Sequence, residues 1–141
     1  LNADVAFHVH GTPAPQGSKT RTAHGYVRED NPRTRPWRNA VAAAAHDAMR
    51  GRPPLPGPLH LEVTFLFPRP KGHYRTGRHA GELRDRAPRF CPTRPDLDKL
   101  LRAVGDAITG IVVVDDAQLV RVTAWKMYGS PGAYIAVGGA A

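Results

Sequence analysis

Arg94-Pro95-Asp96-Leu97-Asp98-Lys99-Leu100-Leu101-Arg102, followed by Asp106, Gly110 and Val114-Asp115-Asp116-Ala117-Gln118, is the stretch that decides how this chain reads. Leu97, Leu100, Leu101, Val104 and Ile108 recur at helical spacing. The spacing predicts a helix over 97–109 with Gly110 as its C′ residue. Asp96 follows Pro95 at the N-cap position, and Asp98 falls in the first turn. Capping, worth ~1 kcal/mol, explains Asp96 well and Asp98 in part. It says nothing about Asp115 and Asp116. Paired carboxylates repel unless a cation comes between them. If the chain returns Asp115 and Asp116 to the helix entry, the four acids would form a hard oxygen site suited to Mg²⁺ or Mn²⁺. Spacing alone leaves the capping and metal readings level.

Working outward, Thr34–Met49 reads as a helix. Pro36 lies in its first turn, and Trp37, Val41, Ala44, Ala45 and Ala48 share one face. Leu59–Phe67 alternates as a strand, and Val5–His10 is a shorter β-prone run. A short strand is expected at 25–27. Ile111–Val114 is β-branched and reads as a strand running back along the sheet. Leu119–Tyr128 and Ala133–Val137 are strand-like, with Gly129–Gly132 as a hairpin loop between them. The prolines and glycines of 11–19 predict an extended loop, and 68–94 is a long aperiodic one. The expected fold is a small α+β domain spanning 1–141, a mixed β-sheet with two packed helices.

The net charge is +8, and it is unevenly spread. Residues 17–38 carry Lys19, Arg21, Arg28, Arg33, Arg35 and Arg38 against Glu29 and Asp30. Residues 68–94 carry Arg69, Lys71, Arg75, Arg78, Arg84, Arg86, Arg89 and Arg94 against Glu82 and Asp85. Asp96, Asp98, Asp106, Asp115 and Asp116 then crowd a chain that is basic elsewhere. An acidic centre in a basic shell points to a polyanion partner. Cys91 is the one cysteine, which excludes an internal disulfide and a multi-cysteine zinc site. No apolar run reaches the ~18 residues of a membrane span. These features predict a soluble cytoplasmic protein.

Arg102 lies one helical turn after Asp98. It reads either as half of an i,i+4 ion pair or as a phosphate grip that stabilises transition-state charge. Lys99 is a second basic candidate, and Asp106 is expected to pair with Arg102. His8 and His10 alternate on a strand without metal-ligand spacing. Gly17-Ser18-Lys19 lacks the rest of a phosphate loop. A Pro-Asp…(Asp/Glu)-x-Lys nuclease reading fails for want of an acid-x-Lys further on. Trp37 and Trp125 read as core or interface residues.

The run 94–110 with Val114-Asp-Asp-Ala-Gln-Leu-Val120 resembles the RusA-type Holliday-junction resolvases, which are crossover-junction endodeoxyribonucleases. Gly11-x-Pro-x-Pro-x-Gly-Ser-Lys19 and Pro68–Tyr74 are similar to the family as well. The resemblance implies a small mixed α/β homodimer that cuts four-way DNA junctions by Mg²⁺-dependent phosphodiester hydrolysis. It places Asp96, Asp98 and Asp116 as metal ligands, with Asp115 beside them. It maps the family's basic catalytic residue, commonly lysine, onto Arg102, with Lys99 as an alternative. Lys19, Arg21, Arg69, Lys71, Arg75 and Arg78 are the expected DNA contacts. The competing class is a non-catalytic branched-DNA-binding protein with a structural acidic cluster.

Overall fold

A computed structural model describes residues 1–17, 19–21, 23–25, 27–29 and 31–141, with only the backbone of 19–21 and 27–29. The strands are β1 (Val5–His10), β2 (Lys19–Arg21), β3 (Val27–Glu29), β4 (Leu59–Phe67), β5 (Leu119–Tyr128) and β6 (Gly132–Gly139), and the helices are α1 (Thr34–Met49) and α2 (Leu97–Ile108). Four strands form one mixed sheet in the order β1-β6-β4-β5, and β2-β3 is a separate antiparallel hairpin. This is the α+β architecture expected from the sequence.

β4 is the sheet's hub, pairing parallel with β5 and antiparallel with β6. Leu59, Leu61, Val63, Phe65 and Phe67 are all buried. They meet Val41 and Ala45 of α1, and Leu100, Val104 and Ile108 of α2, in one core. Each fully buried side chain of this size is worth ~1.5–3 kcal/mol, so α2's apolar stripe fixes its roll on the sheet. That roll sends Asp98, Arg102 and Asp106 outward, where all three are exposed.

Two expectations are corrected. β5 and β6 do not form a hairpin: β4 lies between them, and the turn at 129–131 passes over its end, with the Gly129 N–H donating to the Phe67 carbonyl at 2.9 Å. A short Gly/Pro link between two strands fixes their separation, not their pairing. The core needs β4's unbroken apolar face at the centre. Ile111–Val114 is not a strand of the sheet either. It folds as a tight turn after α2, where Gly110 has φ +85° and its N–H donates to the Val113 carbonyl at 2.7 Å. Val112 and Val113 are fully buried there, so β-branching at these positions serves the core.

The long segment 68–94 is ordered. It contains two single 3₁₀ turns, Lys71–His73 and Gly77–His79, and isolated bridges Tyr74–Leu83 and Phe90–Met127. The Cys91 N–H donates to the Lys126 carbonyl, so this segment runs along the outer edge of β5 directly into α2. Trp37 is core, at 3% exposure. Among the described residues, no helix is long and apolar enough to cross a membrane.

Candidate active site

Asp96 occupies the N-cap position of α2, but its carboxylate makes no capping hydrogen bond. Its backbone carbonyl accepts from the Leu100 N–H, while its carboxylate lies 3.8 Å from the Lys99 Nζ. Among the described residues, Asp98 has neither a hydrogen bond nor an ion pair. The expected i,i+4 pairs of Arg102 with Asp98 and with Asp106 do not form. Exposed pairs of this kind gain little against the entropy of holding two long side chains together. The acids at the helix entry are thus not consumed by the helix, which weakens the capping reading for both.

Arg102 is placed by a glycine. A Cβ built on Gly17 would come within 3.0 Å of Arg102 Nη1 and 3.4 Å of Lys99 Cγ. The loop after β1 therefore lies directly on this face of α2. The Gln16 N–H donates to the Lys99 carbonyl at 3.0 Å. The Gln16 side chain, only 5% exposed, donates from Nε2 to Asp106 and accepts from Arg38 Nη1 at 2.7 Å. A single buried amide thus ties loop, α1 and α2 together. The sequence reading passed over Gln16, although its place inside the Gly11–Lys19 motif was a usable signal.

The Asp115-Asp116-Ala117-Gln118 run divides its labour. Asp115 Oδ1 accepts from the Ala117 N–H at 2.9 Å and caps a 3₁₀ turn over Asp116–Gln118. Gln118 Oε1 accepts from the N–H groups of Val114 (2.8 Å) and Asp115 (3.2 Å). Its Nε2 donates to the carbonyls of Leu55 and Gly57, both at 3.0 Å. Asp116 is left as the acid without a structural task. Its pKa is raised, first by its carboxyl hydrogen bond with Asp115, then by slight burial and by the charges of Asp115 and Asp106. A carboxylate crowded by acids is one that a cation would relieve.

The donor set is all carboxylate oxygen, which suits Mg²⁺ or Mn²⁺ rather than zinc. Asp96 and Asp98 stand together at the helix entry, while Asp116 lies within the field of Asp115 and Asp106. Among the described residues, no three acidic, imidazole or thiol groups stand together as a finished cage.

A cleft of about 860 Å³ opens beside the α2 entry, with Asp96, Lys99, Arg33, Arg94, Cys91 and Tyr128 in its wall. Burial works to raise the Cys91 thiol pKa, yet hydrogen bonds with Thr93 and Tyr128 and the Lys126 charge hold it below its ordinary value. Arg94 opens the motif that contains Asp96, whereas Arg33 was read only as a member of a basic segment and the fold brings it to the same cleft.

The expected DNA contacts sort by what they already do. Arg69 donates to the Pro88 carbonyl at 2.7 Å and lies over the Tyr128 ring, so it braces the long segment. Arg75 sits 3.5 Å from Glu82. Lys71 and Arg78 are exposed. The side chains of Lys19 and Arg21 lie outside the described residues.

An α+β domain with aspartates at a helix entry that form no capping bond, and arginines beside them, has the features of a phosphodiester-cleaving enzyme. Residues 9–138 match the family "Endodeoxyribonuclease RusA", and the chain belongs to that family of nucleases. YqaN of Bacillus subtilis (strain 168), described as an uncharacterized protein, is 25% identical over 125 residues, covering 88% of this chain and 87% of YqaN.

Proposed function

We propose that this nuclease is a Mg²⁺-dependent, structure-specific endonuclease that resolves four-way DNA junctions by paired phosphodiester hydrolysis, acting as a homodimer in recombination and repair. The observation that carries the reading is the α2 entry. There two carboxylates at Asp96 and Asp98 are left unused by the helix they begin, beside a cleft walled by Arg33, Arg94 and Lys99.

Asp96, Asp98 and Asp116 would hold the cation, with Asp115 fixing the loop that carries Asp116. When bound, Mg²⁺ supplies a water of lowered pKa and polarises the scissile phosphate. Arg102, which has no acidic partner among the described residues, sets a guanidinium against the phosphate and offsets charge that builds up in the transition state. Arginine stays protonated at neutral pH, so its part is electrostatic and it donates no proton to the leaving oxygen. Lys99, 3.8 Å from the Asp96 carboxylate, offsets its charge and would be a second cation available to phosphate. The exposed cations Lys71, Arg78, Arg33 and Arg94 grip the arms through phosphates, so the reading is of DNA shape more than of bases.

Cleavage rates on a four-way junction, a fork and a plain duplex at one fixed salt concentration test this. The reading expects the junction to be cut fastest, by two nicks in opposed strands. Equal rates on junction and duplex would overturn it.

A further inference from the structure

Fourteen prolines are spread along this chain, and six of them gather in one place. Pro13, Pro15, Pro32, Pro68, Pro70 and Pro95 all stand in the wall of the cleft of about 860 Å³ at the α2 entry. They come from four segments far apart in sequence: the loop after β1, the turn before α1, the exit of β4 and the approach to α2. Phe67 at the end of β4 and Tyr128 at the end of β5 add two aromatic rings. Proline fixes its own φ and has no N–H to offer, so this wall is stiff, flat and apolar. A preformed apolar hole of this size falls in the range of ~300–1,000 Å³ that takes small organic ligands.

The polar groups among the prolines are few and specific. Asn31 Oδ1 accepts from the Arg33 N–H at 2.9 Å, which orients the amide and leaves its NH₂ group for an acceptor on a ligand. Arg33, Arg94 and Lys99 add three cations to the wall, and among the described residues neither Arg33 nor Arg94 has an acidic partner. Asp96, one of the acids assigned to the cation, belongs to the same wall.

We infer that this cleft seats one base of the DNA, swung out of its stack beside the phosphate that is cut. The inference rests on the nuclease reading above and names the part of the substrate that its site takes. The chemistry of the wall selects this occupant. Flat rings suit the face of a base, the cations suit the phosphates on either side of it, and the Asn31 amide suits an acceptor on the base edge. A stacked duplex would meet the cleft only with its phosphate edge and would leave the apolar wall empty. Asp96 in the same wall sets the seated base next to the scissile phosphate rather than further along an arm. Extrusion costs least where pairing and stacking are already disturbed. A four-way junction interrupts its stacking at the crossover, and a plain duplex interrupts it nowhere. Seating a base thus lets the site tell a junction from a duplex without reading sequence.

Junctions bearing 2-aminopurine at successive crossover positions test this with the wild-type chain in chelator, so that binding is observed without cleavage. One position in each of two opposed strands should brighten about fivefold or more on binding, as a base leaving its stack does, and the same positions in a linear duplex should not. A 4-thiothymine placed at the position that brightens is then photo-cross-linked and the adduct located by mass spectrometry. It should map to the cleft, at Phe67, Cys91 or Tyr128. No brightening at any position overturns the inference, and so does a cross-link outside the cleft. Cleavage of the same junction with Mg²⁺ would in either case leave the nuclease reading intact. A base seated in the cleft by a chain that fails to cut with any divalent metal would leave the seat standing and refute the nuclease reading instead.

Discussion

Replacing Gln118 with alanine removes the clamp that holds the Asp115–Asp116 loop to the 55–57 segment. Four hydrogen bonds go at once: two donated to the carbonyls of Leu55 and Gly57, and two accepted from Val114 and Asp115. A typical net hydrogen bond is worth ~0.5–1.5 kcal/mol. Three of these lie at the surface, where water replaces the lost partner, and belong at the low end. The Leu55 bond is partly buried and belongs at the high end. The total is roughly 2–3 kcal/mol. For a chain of this size that is a fall in melting temperature of roughly 6–12 °C. Circular dichroism melts in metal-free buffer measure it, and junction cleavage with Mg²⁺ should fall in the same variant because Asp116 loses its anchor. Gln118→Glu keeps an acceptor but loses both donated bonds and sets a third acid beside Asp115 and Asp116. It should be no more stable than Gln118→Ala. A Gln118→Ala protein that melts within about 2 °C of wild type and cuts at full rate would refute the clamp.

The pKa of Asp116 is raised on folding, so the folded state holds more protons than the unfolded one between the ordinary and the raised value. Stability then falls as pH rises through that window. Asp116→Asn should therefore melt higher than wild type at neutral pH without metal, and the gain should vanish below the carboxylate range; a melting point unchanged across pH 3 to 7 contradicts the crowding. Asp96→Ala should leave the melting temperature within about 2 °C of wild type, because no capping bond is lost, while abolishing cleavage; the loss of ~1 kcal/mol expected for a true N-cap would restore the capping reading. Arg102→Ala should likewise cost little stability but at least a hundredfold in cleavage rate, and Arg102→Lys should recover much of it; full activity of the alanine variant would remove Arg102 from the site.

Much of this was legible in the sequence where local pattern and tertiary packing agree. Thr34–Met49 and Leu59–Phe67 carry their apolar periods end to end, and the structure keeps the predicted bounds of both. The β5–β6 error has a different origin. Gly129-Ser-Pro-Gly132 looks like a hairpin turn from either side, and nothing local says that a strand from sixty residues earlier enters between its arms. Val112 and Val113 misled because β-branching marks burial as readily as it marks strands. At the site, residue types were legible and their commitments were not. The sequence offers Asp96 as a cap and Arg102 as an ion-pair partner; the fold gives Asp96 a contact with Lys99 in place of a capping bond, and Arg102 no acidic partner among the described residues. Gln16 and Gln118, whose amides fix the two loops of the site, lie within motifs that the sequence shows, but neither charge nor periodicity tells which groups those amides would bind.

The central claim is that Asp96, Asp98 and Asp116 form a metal-dependent cutting site for branched DNA. The most direct measurement is cleavage of an end-labelled four-way junction by wild type and by Asp98→Asn, with Mg²⁺ and with chelator, alongside their junction affinities. The account predicts paired nicks by wild type with Mg²⁺ only, and no cutting by Asp98→Asn despite affinity retained within a few-fold. Binding without cleavage by the wild type, or full cleavage by Asp98→Asn, would contradict it.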